Sequence, residues 1–244
     1  MRAESAGAVA VGKVAMHAVA SQVAPPAERA AAALRRLAAR YGPLVPKPRR
    51  DALSELIEVI LSQHTSDANA ARAFAQLRQT FPTWEALLEA PVEQVAEAIR
   101  SAGLAKVKAP RLQAVLRAVR ERFGTLALDH LAAQPLDEAR AALLALPGVG
   151  PKSAACVLLF SLGLPALPVD THVHRVATRL GLLPPGTDAA RAHPLLEALV
   201  PPDERYAFHV ALITHGRQTC HARRPACGAC PIADLCPSAQ VAHG

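Results

Sequence analysis

The sequence predicts an all-α protein. Apolar residues make up 51% of its 244 positions but aromatic residues only 3%. Alanine and leucine, both strong helix formers, supply most of the apolar content, and no alternating strand-like run survives inspection. Apolar residues recur every three or four positions, and Pro and Gly punctuate them into short segments. A chain of this length can bury one generous core or two small ones.

The segment before Pro26 reads as a disordered extension, residues 1–25. Ala27-Glu28-Arg29 leads an amphipathic helix to about Tyr41, with Ala30, Ala33, Leu34 and Leu37 inward. Gly42–Arg50, with three prolines and Lys47, Arg49 and Arg50, is a linker. From Asp51, Leu53, Leu56, Ile57, Ile60 and Leu61 keep helical spacing until Ser62-Gln63-His64-Thr65. Ser66 or Asp67 then caps a helix over 68–80. Shorter helices follow over 83–89 and 92–101, entered through Pro82 and Pro91, and Gly103-Leu104 is a turn. The helix 106–122 stops at Gly124. Segments 129–133 and 136–144 lead into a glycine-bearing hairpin, and helices over 152–162, 171–180, 189–199 and 203–215 precede four cysteines.

The net charge of +7 and pI near 9.6 favour a polyanionic partner, since clustered Arg and Lys draw phosphates and release counterions. Only five of the 27 basic residues are lysines, so a lysine at a helix start is informative. No uncharged apolar stretch reaches the length of a membrane span, about 18 residues. Lys13, His17 and Gln22 interrupt the apolar opening, which argues against a secretory signal. A monomeric cytoplasmic, nucleoid-associated protein is the expectation. Cys156, in an apolar run, reads as a small buried hydrophobe.

Leu146-Pro147-Gly148-Val149-Gly150 is a tight turn whose glycines let backbone approach a ligand. Its amides, with those of the helix opened by Pro151, can bind a phosphate oxygen. Lys152 follows at once, and Asp170 comes eighteen residues later in Val169-Asp170-Thr171-His172. Exposed amides, an amine and a carboxylate together suit chemistry on a DNA sugar. A helix N-terminus and partial desolvation disfavour an ammonium and leave a nucleophilic amine. The plainer readings are a phosphate-contacting Lys152 and an Asp170 that only caps the next helix.

Cys220, Cys227, Cys230 and Cys236 follow C-x6-C-x2-C-x5-C. Four reduced thiolates so close together hold a metal or a cluster. Zinc sites usually bring two C-x-x-C knuckles, and only one such pair exists here, which better suits a [4Fe-4S] cube.

The hairpin, Lys152, Asp170 and the cysteine spacing together resemble the helix-hairpin-helix DNA glycosylases, specifically the endonuclease III family. The resemblance covers roughly residues 28–240. It implies two helical lobes around a DNA cleft: a six-helix barrel over 52–164, and an iron–sulfur lobe made of 26–51 and 165–244. It implies a [4Fe-4S] cluster on the four cysteines and Lys152 as a Schiff-base nucleophile, with Asp170 stabilising charge on the sugar or assisting proton transfer. The partner would be double-stranded DNA carrying a damaged base or abasic site. The substrate would be an oxidised pyrimidine, with the strand cut 3′ to the abasic site by β-elimination.

An everted nucleotide leaves a gap to fill. In this family the filling groups come from the loop after the helix ending at Ser62 and from the Gly-Leu turn, which points to Gln63, His64 and Leu104. The family's usual glutamine falls on His64, a departure. Lys106 and Lys108 either grip flanking phosphates or are merely solvated. Arg223 and Arg224, between the first two cysteines, would contact phosphates alongside Gly148, Val149 and Gly150; the plain reading is solvated arginines. His172 and His174 are structural or phosphate-side residues.

Two other functions compete. A monofunctional mismatch glycosylase of the same superfamily would activate water and lack a lysine at position 152. A non-catalytic iron–sulfur DNA-binding protein would have no use for Lys152 and Asp170.

Overall fold

The computed structural model describes residues 24–46 and 50–241. The expected extension lies almost wholly outside the described residues, as do Lys47 and Arg49 of the linker. Twelve α-helices and several short 3-10 turns are present among the described residues, with no strand. The all-α expectation is borne out.

Helix α1 spans Pro26–Tyr41, α2 Ala52–Ser62, α3 Asp67–Thr80, α4 Trp84–Glu89, α5 Val92–Ala98 and α6 Ala105–Phe123. Then come α7 Leu136–Leu144, α8 Pro151–Cys156, α9 Thr171–Arg179, α10 Ala189–Leu199, α11 Arg205–Gln218 and α12 Pro237–Val241. Local chemistry sets many of the starts. Asp51, Ser66, Thr83, Asp170 and Asp188 each accept a hydrogen bond from a first-turn amide. Between the two cap choices before α3, the side chain that caps is Ser66, 3.3 Å from the Asn69 nitrogen.

Two differences from the expected boundaries have clear causes. The 92–101 segment breaks into α5 and a 3-10 turn over Arg100–Ala102, closed by Gly103. The 152–162 helix is α-helical only to Cys156 and widens into a π-helix over Val157–Leu162. Gly163, with φ +67, ends it, and the Leu164 amide reaches back to Leu158 oxygen at 2.8 Å.

The buried side chains form two separate clusters. One runs from Ala52 to Ala166 and fills the space among α2–α8. The other joins Ala30, Ala33, Leu34 and Leu37 of α1 to residues from Leu167 to Ile232. The chain therefore leaves the second lobe after α1, builds the whole of the first, and returns. Buried Arg29 fixes that return by donating to the Leu180 and Gly181 carbonyls at 2.6 and 3.1 Å.

Glu197 on α10 joins the lobes. Its carboxylate accepts from Arg140 of α7 at 2.9 Å and from the Leu167 amide at 2.9 Å, and its side chain is only 12% exposed. Glu197→Ala would strand the Arg140 charge and the amide. A loss of about 3 kcal/mol in unfolding free energy is expected, measurable by urea titration.

Candidate active site and DNA interface

A cleft of about 1240 Å³ opens between the two lobes. Lys152 and Asp170 both line it, the first from α8 and the second from the start of α9. Lys152 is the second residue of α8, directly after Pro151, and is half-buried. The turn before it works through Gly148, at φ +74, where a Cβ would come within 3.0 Å of the Arg111 side chain. Val149 differs from expectation. Its side chain is buried in the barrel core and its amide donates to Leu146 oxygen at 3.2 Å. What the turn offers outward comes from the glycines and the first-turn amides of α8.

Asp170 caps α9: its Oδ1 accepts from the His172 and Val173 amides at 2.8 and 2.7 Å. Both cap bonds fall on one oxygen, which leaves Oδ2 outside the cap. The capping role and a place on the cleft wall thus coexist in one carboxylate.

Three cleft groups escaped sequence reasoning. Glu55 of α2 lines the cleft near Lys152, and burial pushes its carboxyl up against the opposing pull of Arg50 and Lys152. His209 of α11 is buried, and desolvation pushes its imidazole down to about 4. Its Nδ1 lies 2.8 Å from the Pro168 carbonyl, so a neutral ring donates there and keeps Nε2 as an acceptor. Cys156, a turn after Lys152, is buried as expected but also forms cleft wall; burial pushes its thiol up to about 11, and the Lys152 charge opposes this. The spacing Glu55, Val59, Ser62 does put one stripe of α2 on the cleft, a pattern legible once the cleft is known.

Loops in both lobes carry left-handed backbone at non-glycine residues, and the one at His64 lines the cleft. Among the described residues, the non-glycine positions with positive φ are His64 (57°), Leu104 (52°) and Arg224 (51°). All three had been singled out for DNA contact. Left-handed backbone at such residues costs of order 1–3 kcal/mol and concentrates at working sites. Leu104 is 56% exposed at the start of α6, with Val107 beside it at 54%. Gln63 is held by Arg111, which donates to its Oε1 at 3.0 Å. Lys106 is exposed.

Lys108 is neither phosphate grip nor solvated side chain. It is buried, and its Nζ donates to Leu61 oxygen at 2.7 Å and Ala102 oxygen at 2.8 Å. Those carbonyls immediately precede the Gln63–His64 loop and the Gly103-Leu104 turn. One buried ammonium therefore ties together the bases of both loops. Helical period explains it: Lys108 lies one turn before buried Leu112, on the inward face, where Lys106 faces out.

In the second lobe Cys220, Cys227, Cys230 and Cys236 all line one small pocket of about 70 Å³. Among the described residues no three His, Cys, Asp or Glu side chains are close enough to share one metal ion. Four thiols lining one small, mostly apolar space suit a multi-iron cube, which takes one thiolate at each iron. Arg179 donates to Cys220 Sγ at 3.2 Å and to the His221 and Ala222 carbonyls at 2.7 and 3.0 Å. The loop bearing exposed Arg223 and Arg224 is thereby braced against the thiol pocket. Arg217, just upstream, reaches Asp67 at the start of α3 at 2.8 Å. No helix among the described residues is long and apolar enough to cross a membrane.

With Lys152 and Asp170 on one cleft between two helical lobes, the fold and site are those of a base excision DNA repair protein. The HhH-GPD superfamily of such proteins matches residues 57–202. The iron–sulfur binding domain of endonuclease III matches residues 220–236, the span from first to last clustered cysteine. Endonuclease III of Escherichia coli K12 is 40% identical over 181 residues, covering 74% of this chain and 81% of that protein. The Synechocystis endonuclease III is 37% identical over 187 residues, covering 76% and 81% respectively. An Arabidopsis thaliana relative is 36% identical over 165 residues, which span 68% of this chain but 56% of that protein. A solved non-covalent endonuclease III–DNA complex matches with a TM-score of 0.75 at 28% identity, covering 89% of this chain and 98% of that one. The chain belongs to the endonuclease III family. It is a DNA-binding repair enzyme, a DNA N-glycosylase and abasic-site lyase, and it carries a [4Fe-4S] cluster.

Proposed function

We propose that this enzyme removes oxidised or ring-saturated pyrimidines, such as thymine glycol, from double-stranded DNA and cuts the strand through a Schiff base on Lys152. The observation that carries the reading is that Lys152 and Asp170, on elements of different lobes, line one cleft. The Lys152 amine attacks C1′ of an everted nucleotide and the base leaves. The resulting imine acidifies the neighbouring sugar carbon, and β-elimination breaks the strand on the 3′ side. Asp170 faces the positive charge that develops on the sugar and holds it by Coulomb attraction in a partly dry cleft.

Leu104 enters the duplex as the wedge, and Gln63 and His64 occupy the space beside the estranged base. Gly148 and Gly150 present the hairpin to a phosphate, while Lys106, Arg223 and Arg224 grip others. Cys220, Cys227, Cys230 and Cys236 are the cluster ligands; the cluster supplies a covalent brace for a segment with little regular structure of its own. The barrel, 52–164, and the iron–sulfur lobe, 26–51 with 165–244, close on the duplex as a monomer. We assign the enzyme to the cytoplasm, at the nucleoid, on the strength of its proposed DNA substrate.

Borohydride trapping on duplexes carrying thymine glycol, uracil, mismatched adenine or an abasic site tests this. Covalent adducts are expected with thymine glycol and the abasic site. Release of adenine without any adduct would mark a monofunctional mismatch enzyme, and no reaction at all a non-catalytic binder.

A further inference from the structure

Glu55 is one of the cleft groups that the amine and the aspartate leave unused. Its helix, α2, is otherwise a core element: Leu53, Leu56 and Ile57 around it are fully buried in the barrel. Glu55 is turned instead to the cleft, on the stripe it shares with Val59. Because α2 packs on α8, the carboxyl stands beside Lys152 and Cys156, close enough to interact electrostatically with both. The carboxyl is half-buried on an otherwise apolar helix, with the Arg50 charge on one side and the Lys152 charge on the other, so it is held in the cleft and not released to solvent. Burial also favours its neutral, proton-carrying form.

The chemistry has an opening for such a group. When Lys152 Nζ bonds to C1′, the bond from C1′ to the pyrimidine N1 breaks and its electron pair stays on the base. The departing N1–C2–O2 system needs a proton, and the nitrogen now joined to C1′ must lose one. Neither demand suits Asp170, whose task is to remain negative beside the sugar.

We propose that Glu55 is a catalytic acid that protonates the departing base and is then recharged by the proton shed from the Lys152 nitrogen. The balance closes: one amine N–H hydrogen ends on the released base, the N–C1′ bond replaces the C1′–N1 bond, and Glu55 finishes as it began. The proposal rests on the Schiff-base reading above and assigns that same cleft its acid.

The test compares two reactions of Glu55→Gln and the parent, using the lesion of the panel that the parent excises. Base release in single-turnover excision is expected to fall about 100-fold, the usual contribution of a positioned general acid. Borohydride trapping at a preformed abasic site is expected to fall far less, because that sugar has no base to expel. Equal losses in both reactions would make Glu55 a shaping residue and overturn the proposal, as would excision at the parental rate. If E55Q does not fold, Glu55→Asp replaces it: the acid is kept but set back, excision falls more than trapping, and equal losses again overturn the assignment. A parent that fails to trap at an abasic site would count against the lysine reading itself, an outcome separate from any effect of the variants.

Discussion

Lys152→Ala is expected to lose the borohydride adduct completely and to slow strand cleavage at abasic sites by at least about 10⁴-fold, because the proposed mechanism makes this amine the nucleophile of a site whose members act as a unit. That loss corresponds to more than about 5 kcal/mol of transition-state stabilisation. The fold is expected to keep its stability within about 0.5 kcal/mol, because the side chain is half-buried at a helix start and alanine is a better helix former. Duplex affinity changes little, since one charge among several phosphate contacts is removed. A gel showing the adduct undiminished in K152A would transfer the chemistry to another amine. Electrophoretic mobility shift and thermal melting, run alongside, separate lost chemistry from lost binding or folding.

Asp170 caps α9 and, on the proposed mechanism, also faces the reacting sugar; two substitutions pull these roles apart. Asp170→Asn keeps an oxygen able to accept from the His172 and Val173 amides, so the cap on α9 survives. Only the negative charge is lost, and excision is expected to slow by about 10²–10³, the usual effect of removing one electrostatic stabiliser. Asp170→Ala loses the cap as well and destabilises the fold by about a further 1 kcal/mol. Melting curves should therefore distinguish the two variants while single-turnover rates group them. Asparagine working as fast as aspartate would show that the carboxylate serves the helix alone.

Much of this architecture was legible because its signals are local. Asp51, Ser66 and Asp170 sit just before apolar-periodic runs and cap the helices they precede. The hairpin announced α8, and the cysteine spacing announced the thiol pocket, because both depend on neighbours a few positions away. His64, Leu104 and Arg224 were marked from the family resemblance, and the strained backbone found at all three is an independent property of the fold. Lys108 and Val149 were misread for a shared reason. A lysine two residues from an exposed one, and an amide inside a glycine turn, look outward in sequence; the Lys108 ammonium meets the junction of two loops, and the Val149 amide turns back to Leu146 while its side chain enters the barrel core. Glu55 was passed over because a glutamate on a helix is normally a solvated one.

The sequence by itself determined the helices and their caps, the amine at the start of α8, and the order of the four thiols. Each of these rests on bonds and propensities that reach only three or four residues along the chain. Tertiary structure alone decided that α1 joins the second core, that Lys108 ties two loops from within, and that a carboxyl on α2 faces Lys152. Those outcomes turn on whether a polar group is desolvated and what it then meets, and its partners come from residues as distant in the chain as Glu55 and Lys152.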